Sequence, residues 1–115
     1  MNPQDPATWP FVIVESPYGS DAADVVAANV AYANEACFDC LRRFEVPYAS
    51  HLFFSPFLND NKPEERRLGI RAGYAMWTGA AKVVLYLDLG MSTGMNLALE
   101  HAKRIGMRYE TRYIR

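Results

Sequence analysis

The fold of this chain is decided by three consecutive segments, VVLYLD (residues 83–88), LGMSTG (89–94) and MNLALEHAKRIG (95–106). The first is an apolar run that ends in Asp88, which is typical of a buried strand. The second contains two glycines and predicts a turn. The third has apolar residues at helical spacing and ends at Gly106, which predicts a helix. Together they predict a strand–turn–helix unit of an α/β fold.

The turn of this unit is also a candidate binding site. In open α/β sheets, ligands bind outside the carboxyl ends of the strands. The first N–H groups of the following helix have no acceptor within the helix, and the helix dipole favours an anion such as phosphate there. Ser92 or Thr93 can cap the helix, and Gly90 and Gly94 let the backbone approach a ligand. Many α/β proteins have such a turn that binds nothing, so the turn alone leaves both interpretations open.

The rest of the chain continues the alternation of strands and helices. Strands are predicted at residues 11–14, 46–50 and 108–114, and helices at residues 21–44 and 63–78. The last strand has charged residues along one face, which is typical of an edge strand. This order predicts a three-layer α/β sandwich with a mostly parallel sheet of about four strands.

Helical spacing predicts which face of each helix is buried. In the first helix the apolar positions are Val25, Val26, Val30, Ala33, Cys37, Cys40 and Leu41. In the second helix they are Leu68, Ala72, Ala75 and Met76, and in the third they are Met95, Leu99, Ala102 and Ile105. The second helix also carries Gly69 and Gly73 one turn apart, which would permit close packing or a close ligand.

Two segments fall outside this alternation. Residues 1–10 contain three prolines and predict an extended N-terminal arm anchored by Trp9, ahead of a single domain over residues 11–115. Residues 51–61 predict a long, irregular and aromatic connection, of the kind that forms lids or pocket walls. In a second interpretation, the aromatic side chains of this connection simply pack against the edge of the sheet.

The charge of the chain argues against two classes of partner. Its 115 residues carry twelve basic and thirteen acidic side chains, for a net charge of −1. This balance provides no excess of positive charge for nucleic-acid backbones or membrane surfaces. The sequence also shows no signal-peptide pattern and no apolar run of membrane-spanning length. We therefore expect a cytoplasmic protein that binds neither nucleic acid nor membrane.

The two cysteines, Cys37 and Cys40, have the spacing C-x-x-C. A redox pair of this spacing usually lies at the start of a helix, where the dipole lowers a thiol pKa. These two lie toward the end of a predicted helix, and they are too few for a structural zinc site. We expect them to be reduced structural thiols, and the sequence indicates neither a metal nor a cofactor.

Several motifs, taken in order, point to a family. They are SPY (16–18), HLFF (51–54), ND (59–60) with PEER (63–66) and LG (68–69), and SxGM (92–95) with Ala102 and Gly106. Over roughly residues 11–114, the chain resembles the nucleoside 2-deoxyribosyltransferase-like superfamily. That superfamily includes small, often phage-encoded domains, deoxyribosyltransferases and 2′-deoxynucleoside 5′-monophosphate N-glycosidases.

The resemblance implies a Rossmann-like fold that binds a nucleoside or nucleotide, and cleavage of the N-glycosidic bond is the activity to be tested. At the matching positions, it implies that Ser92 contacts the sugar or the 5′-phosphate, assisted by the backbone of Gly94 and Met95. The loop after the first strand would enclose the ligand from the other side through Ser16, Tyr18 and Gly19.

The chain departs from the family at the catalytic position. The family places a glutamate six residues after the serine, where this chain has Ala98. Glu100 does not restore it, because two residues along a helix rotate a side chain by roughly 200°. We therefore expect Glu100 to be a solvated surface residue and catalysis to be weak or lost.

Three further polar residues follow predicted strands. Glu15 ends the first strand and is the candidate for a relocated catalytic carboxylate; alternatively, it is structural and paired with Arg66 or Arg71. His51 follows the second strand and is either a ligand contact or a structural histidine. Asp88 ends the third strand and is a candidate ligand contact.

Three functions remain open from the sequence. The first is an N-glycosidase or deoxyribosyltransferase with an altered set of carboxylates. The second is a nucleotide-binding protein without catalysis, and the third is a structural domain that serves assembly. A homo-oligomer is also expected, because the large apolar residues exceed what a small domain easily buries. These residues are Trp9, Phe11, Tyr74, Met76, Trp77 and the phenylalanines of residues 53–57.

Overall fold

The computed structural model describes residues 4–115. Its centre is a four-stranded, all-parallel sheet in the order β2-β1-β3-β4. The strands are β1 (Phe11–Glu15), β2 (Val46–Tyr48), β3 (Lys82–Tyr86) and β4 (Tyr109–Arg112). This arrangement confirms the predicted α/β fold, which is consistent with a Rossmann-like three-layer sandwich.

Four helices connect the strands. They are α1 (Ala23–Arg42), α2 (Ser50–Phe54), α3 (Pro63–Ala75) and α4 (Thr93–Ile105). A 3-10 turn, Met76–Gly79, continues α3 toward β3. None of the helices among the described residues is long and apolar enough to cross a bilayer.

Different elements cover the two faces of the sheet. On one face, Val12 and Val14 of β1 pack against Tyr32, Ala36 and Cys40 of α1. On the other face, the alternate residue Ile13 packs with Trp77 of the 3-10 turn and with α4. Because successive strand residues point to opposite faces, the apolar run of β1 serves both cores at once.

The faces predicted for α1 and α3 are only partly right. In α1 the buried residues are Asn29, Tyr32, Ala33, Ala36 and Cys40, whereas Val25 and Leu41 are exposed. In α3, Leu68 is exposed and Gly73 is buried, and Met76, which lies in the 3-10 turn after α3, is exposed as well. The predicted stripes counted apolar residues alone, whereas the observed faces also bury the polar Asn29, the aromatic Tyr32 and the small Gly73.

The glycines of α3 show this close approach directly. A Cβ atom on Gly73 would lie 3.1 Å from Cβ of Ser50, at the start of α2. A Cβ atom on Gly69 would lie 3.2 Å from the side chain of Leu58. The two glycines therefore permit close packing, the first of the two roles that their spacing predicted, and the second role, a close ligand, stays a prediction.

Two predictions about irregular segments need correction. Residues 51–61 were predicted to be an irregular connection, but the first four of them belong to α2, which ends at Phe54. The predicted extended arm contains a 3-10 turn at Pro6–Thr8, and residues 1–3 of the arm lie outside the described residues. Trp9 does anchor the arm, since its ring centroid lies 5.6 Å from that of Phe44.

A buried ion-pair network fastens the edge strand β4. Arg112 donates two hydrogen bonds of 2.7 Å to the carboxylate of Glu45, and both side chains are almost fully buried. Lys82 contacts the same carboxylate at 3.0 Å. Burial opposes ionisation of Glu110, but hydrogen bonds from Lys82 and Arg112 lower its pKa to about 2. The network joins the residue before β2, the start of β3 and the end of β4.

We predict that Arg112→Met lowers the free energy of unfolding by about 3 kcal/mol, because it leaves the buried Glu45 carboxylate without its bidentate partner. Lys62→Met is the matched control, since Lys62 and Glu65 form an exposed pair at 3.6 Å. The control should change stability by less than about 0.5 kcal/mol. Urea titration measures both values, and equal effects would contradict the prediction.

Candidate functional site

A cleft of about 910 Å³ opens at the carboxyl edge of the sheet. The chain leaves β1 toward α1 on one face and leaves β3 toward α4 on the other. Because these two connections diverge, a crevice forms between them, which is the usual ligand position in open α/β folds. The volume falls within the range of small-molecule sites.

The cleft collects nearly all of the residues that the sequence predicted for a site. The lining residues from that set are Glu15, Ser16, Tyr18, Gly19, His51, Ser92, Gly94 and Met95. They come from the end of β1, the loop after it, α2 and the start of α4. Residues distant in sequence are thus brought together because parallel strands end at one edge.

Asp88 does not line this cleft. Its carboxylate accepts hydrogen bonds from the hydroxyl of Tyr32 and from the backbone N–H groups of Ile114 and Arg115. These contacts, led by the N–H of Ile114, hold the pKa of Asp88 below its usual range. The carboxylate therefore joins α1 to the segment after β4, which is a structural arrangement.

His51 and Ser16 form the polar contact between α2 and β1. The Oγ atom of Ser16 lies 3.3 Å from Nε2 of His51, and the ring of Tyr18 lies 5.1 Å from the imidazole. Burial lowers the pKa of His51 to about 4. The ring is therefore neutral at physiological pH, with one nitrogen able to donate and one able to accept.

Glu15 points into the cleft from the end of β1. It lies two residues after Ile13, so its side chain is on the sheet face that also carries Trp77. Within residues 4–115 its carboxyl group has no hydrogen bond or ion pair, and the alternative pairing with Arg66 or Arg71 is not formed. Burial raises its pKa to about 8, so the carboxyl group is mostly protonated at neutral pH.

The turn before α4 has the geometry that the sequence predicted. Ser92 is the N-cap, and its Oγ atom accepts a hydrogen bond of 3.1 Å from the N–H of Met95. The two preceding N–H groups, those of Thr93 and Gly94, have no acceptor among the described residues. These two donors therefore remain available to a ligand at the wall of the cleft. Gly90 has a φ of 83°, a left-handed conformation that favours glycine.

Glu100 and Ala98, the two positions of α4 that were compared for a catalytic carboxylate, differ in solvent exposure. Glu100 is exposed on α4. Ala98 is only 2% exposed and packs in the core with Ile13 and Trp77. Position 98, where the resemblance implies a catalytic glutamate, is thus occupied by a small residue of the core.

The sequence missed the aromatic walls of the cleft. Tyr48, Phe54, Tyr74 and Trp77 all line it, and the hydroxyl of Tyr48 is buried without a hydrogen-bond partner in the described part of the chain. Tyr74 and Trp77 pack with their ring centroids 5.2 Å apart. Phe54 belongs to the connection that the sequence predicted as a lid or pocket wall, whereas Tyr74 and Trp77 were interpreted as part of an oligomer interface and Tyr48 was not singled out.

The cysteines take no part in the cleft. Cys37 is partly buried and Cys40 is fully buried, and both are free thiols. Burial raises the pKa of Cys37 to about 11, which disfavours the reactive thiolate. Across residues 4–115, no group of three or more His, Cys, Asp or Glu residues is placed to hold a metal ion.

The fold and the cleft define an α/β protein with a ligand-sized crevice at a topological switch point. Comparison with protein-family models matches residues 10–112 to a domain of unknown function, DUF7768. The match covers most of the chain, and the protein therefore belongs to this family. Neither the search of curated proteins nor the search of solved structures found a match.

We predict that Glu15 makes the stability of the protein depend on pH. Its pKa is raised from 4.5 to about 8, so the folded state loses stability as the pH rises between these values. The loss is up to about 1.4 kcal/mol per pH unit. Glu15→Gln removes this dependence, and its stability advantage over the wild type should grow from pH 5 to pH 8.

Urea titration at several pH values measures this difference. Glu100→Gln is the control, because it removes a carboxyl group that is exposed on α4. Parallel pH profiles for the wild type and Glu15→Gln would show that Glu15 is solvated in the folded state.

Proposed function

We propose that the cleft binds a nucleoside or nucleotide and that the protein cleaves the N-glycosidic bond weakly or not at all. The observation that carries this proposal is the composition of the cleft. Free N–H groups at the start of α4 lie on one part of its wall, and aromatic rings form another part. A phosphorylated nucleoside has an anion and a flat base, which match these two surfaces.

The phosphate is assigned to the turn before α4. The N–H groups of Thr93 and Gly94 have no acceptor among the described residues, and the helix dipole adds positive potential there. Arg66 of α3 also lines the cleft and supplies a positive charge. The resemblance of the SxGM motif to the deoxyribosyltransferase superfamily supports the same assignment.

The nucleobase is assigned to the aromatic part of the cleft. Tyr48 and Tyr74 offer ring surfaces on which any base can stack, and the buried Trp77 supports Tyr74 at a ring-centroid distance of 5.2 Å. The neutral ring of His51 and the carboxyl group of Glu15 supply hydrogen bonds beside these rings. This mixture of apolar walls and few polar groups is typical of small-molecule sites.

Weak catalysis follows from the carboxyl groups present. An N-glycosidase needs a carboxylate near the anomeric carbon and an acid that protonates the leaving base. Glu15 holds its proton at neutral pH and so suits only the second role. The other carboxylates that line the cleft, Asp21 and Asp60, are exposed residues of loops. The alternative function, an active enzyme that uses Glu15, would need a nucleophile that this arrangement does not supply.

We predict that Ser92→Asp weakens nucleoside monophosphate binding at least tenfold, because it places a negative charge beside the phosphate. Aspartate is as good an N-cap as serine, so α4 should remain intact. Calorimetry measures the affinity. Asn34→Asp adds the same charge on the exposed side of α1 and should bind like the wild type. Equal affinity in all three proteins would refute the phosphate assignment.

We also predict little or no base release when deoxynucleotides are incubated with the wild type. Chromatography of the released base compares it with Glu15→Gln, Glu100→Gln and Ala98→Glu. Ala98→Glu should gain little activity and lose stability, because it inserts a carboxyl group into the core.

Two outcomes of this assay would overturn the prediction in different ways. Strong wild-type turnover that is lost in Glu15→Gln would establish the active-enzyme alternative. Strong turnover that is lost only in Glu100→Gln would show that the face of α4 is misassigned.

The homo-oligomer stays a prediction, on a smaller basis than the sequence suggested. Trp77 is 3% exposed and therefore fills the core instead of an interface. Phe53 is 59% exposed and Phe57 is 62% exposed, and their ring centroids lie 6.0 Å apart. These two residues are the strongest remaining support for an assembly surface and for the third function, a structural assembly domain.

A further inference from the structure

We propose that Glu15 contacts the nucleobase of the ligand, as a protonated carboxyl group that donates one hydrogen bond and accepts another. This inference rests on the proposed function and adds to it the orientation of the ligand and a dependence of its affinity on pH. The family to which the chain belongs has no known function, so membership in it assigns no role to Glu15.

The position of Glu15 supports contact with the base. Its side chain lies on the face of the sheet that carries Ile13 and Trp77, and it is close enough to interact electrostatically with Tyr74. The aromatic rings that could hold a base are therefore its neighbours. The turn of Ser92, which is assigned to the phosphate, follows a different strand.

The unsatisfied state of Glu15 indicates that a ligand completes the site. A carboxyl group that is removed from bulk water and has no protein partner is rare in folded proteins unless it has a role. The hydroxyl of Tyr48, which also lines the cleft, is buried and lacks a partner as well in the described residues. Glu15 is the accessible one of the two, because it is only half-buried whereas the Tyr48 hydroxyl is closed off from solvent, so a ligand in the cleft can reach the Glu15 carboxyl group.

The chemistry of a protonated carboxyl group selects a neutral edge of the ligand. Its O–H donates and its C=O accepts, side by side. Nucleobase edges present a donor next to an acceptor, such as the amino group and N7 of adenine. The ionised form has acceptors alone and cannot make the same pair. Glu15 therefore binds the base only while it keeps its proton.

The other groups of the cleft do not supply this dependence on pH. The titratable and charged residues that line it with Glu15 are Tyr18, Asp21, Tyr48, His51, Asp60, Arg66 and Tyr74. Burial lowers the pKa of His51 to about 4 and raises the pKa of Tyr48 and Tyr74 from 10. Asp21, Asp60 and Arg66 are exposed to solvent.

The test combines truncation of the ligand with truncation of the residue. Calorimetry compares adenosine monophosphate with ribose 5-phosphate, which keeps the sugar and phosphate but lacks the base. Glu15→Leu should weaken the nucleotide about tenfold and leave ribose 5-phosphate unchanged. Glu15→Gln is the matched control, because its amide also offers a donor beside an acceptor, and it should keep most of the affinity.

The pH profile gives a readout that a merely structural role would not change. Because Glu15 has a pKa of about 8, wild-type affinity for the nucleotide should fall about fourfold from pH 7 to pH 8.5. Affinity should be flat over the same range for Glu15→Gln and for ribose 5-phosphate.

Each outcome separates this inference from the proposed function. Nucleotide binding that is unaffected by Glu15→Leu, or equal losses for both ligands, would overturn the contact with the base and leave nucleotide binding intact. A drop in affinity with pH that persists in Glu15→Gln would overturn the role of the Glu15 proton. No binding of either ligand by the wild type would refute the proposed function itself.

Discussion

The parallel pairing of β1 with β3 is the constraint on which the rest of the structure depends. At the middle of the sheet, Val14 pairs with Val84 and Ile13 pairs with Val83. All four of these residues are buried. Parallel strands need crossover connections, and these place helices on the two faces. Since the connections after β1 and β3 depart to opposite faces, the cleft is a direct consequence of this pairing.

Two carboxyl groups at the ends of these central strands have opposite environments. Asp88, just after β3, is on the side of α1 and accepts three hydrogen bonds, so it stays ionised and structural. Glu15, at the end of β1, is on the opposite side and has no partner in the described chain. The difference follows from which face each side chain occupies. One face is closed by the segment after β4, and the other opens into the cleft.

The shape of the cleft depends on small residues more than on large ones. Gly69 and Gly73 let α3 approach α2 and the segment after it, because a Cβ atom at either position would lie within 3.2 Å of a neighbour. This approach places Tyr74 and Trp77 beside the end of β1. Aromatic residues that would otherwise be surplus apolar surface become the wall of a binding site.

The fold was predictable from the sequence because its signals are local. The apolar run of β3, the serine cap and the glycine that ends α4 each specify their own backbone geometry. The common edge at which strands end then follows from parallel topology, so Glu15, Ser16 and Ser92 could be expected to share a site. His51 lies in the same cleft for the same reason.

Only the tertiary structure decided which residues face the cleft and in which state. The helix faces were mispredicted because burial of Asn29 and Gly73 depends on neighbours distant in the sequence. The same holds for Tyr74 and Trp77, whose place in the wall of the cleft depends on where the end of α3 packs. The protonation of Glu15 and the ionisation of Asp88 are likewise properties of their surroundings. Both side chains end in a carboxyl group, and it is burial and hydrogen bonding in the folded chain that give the two groups opposite states.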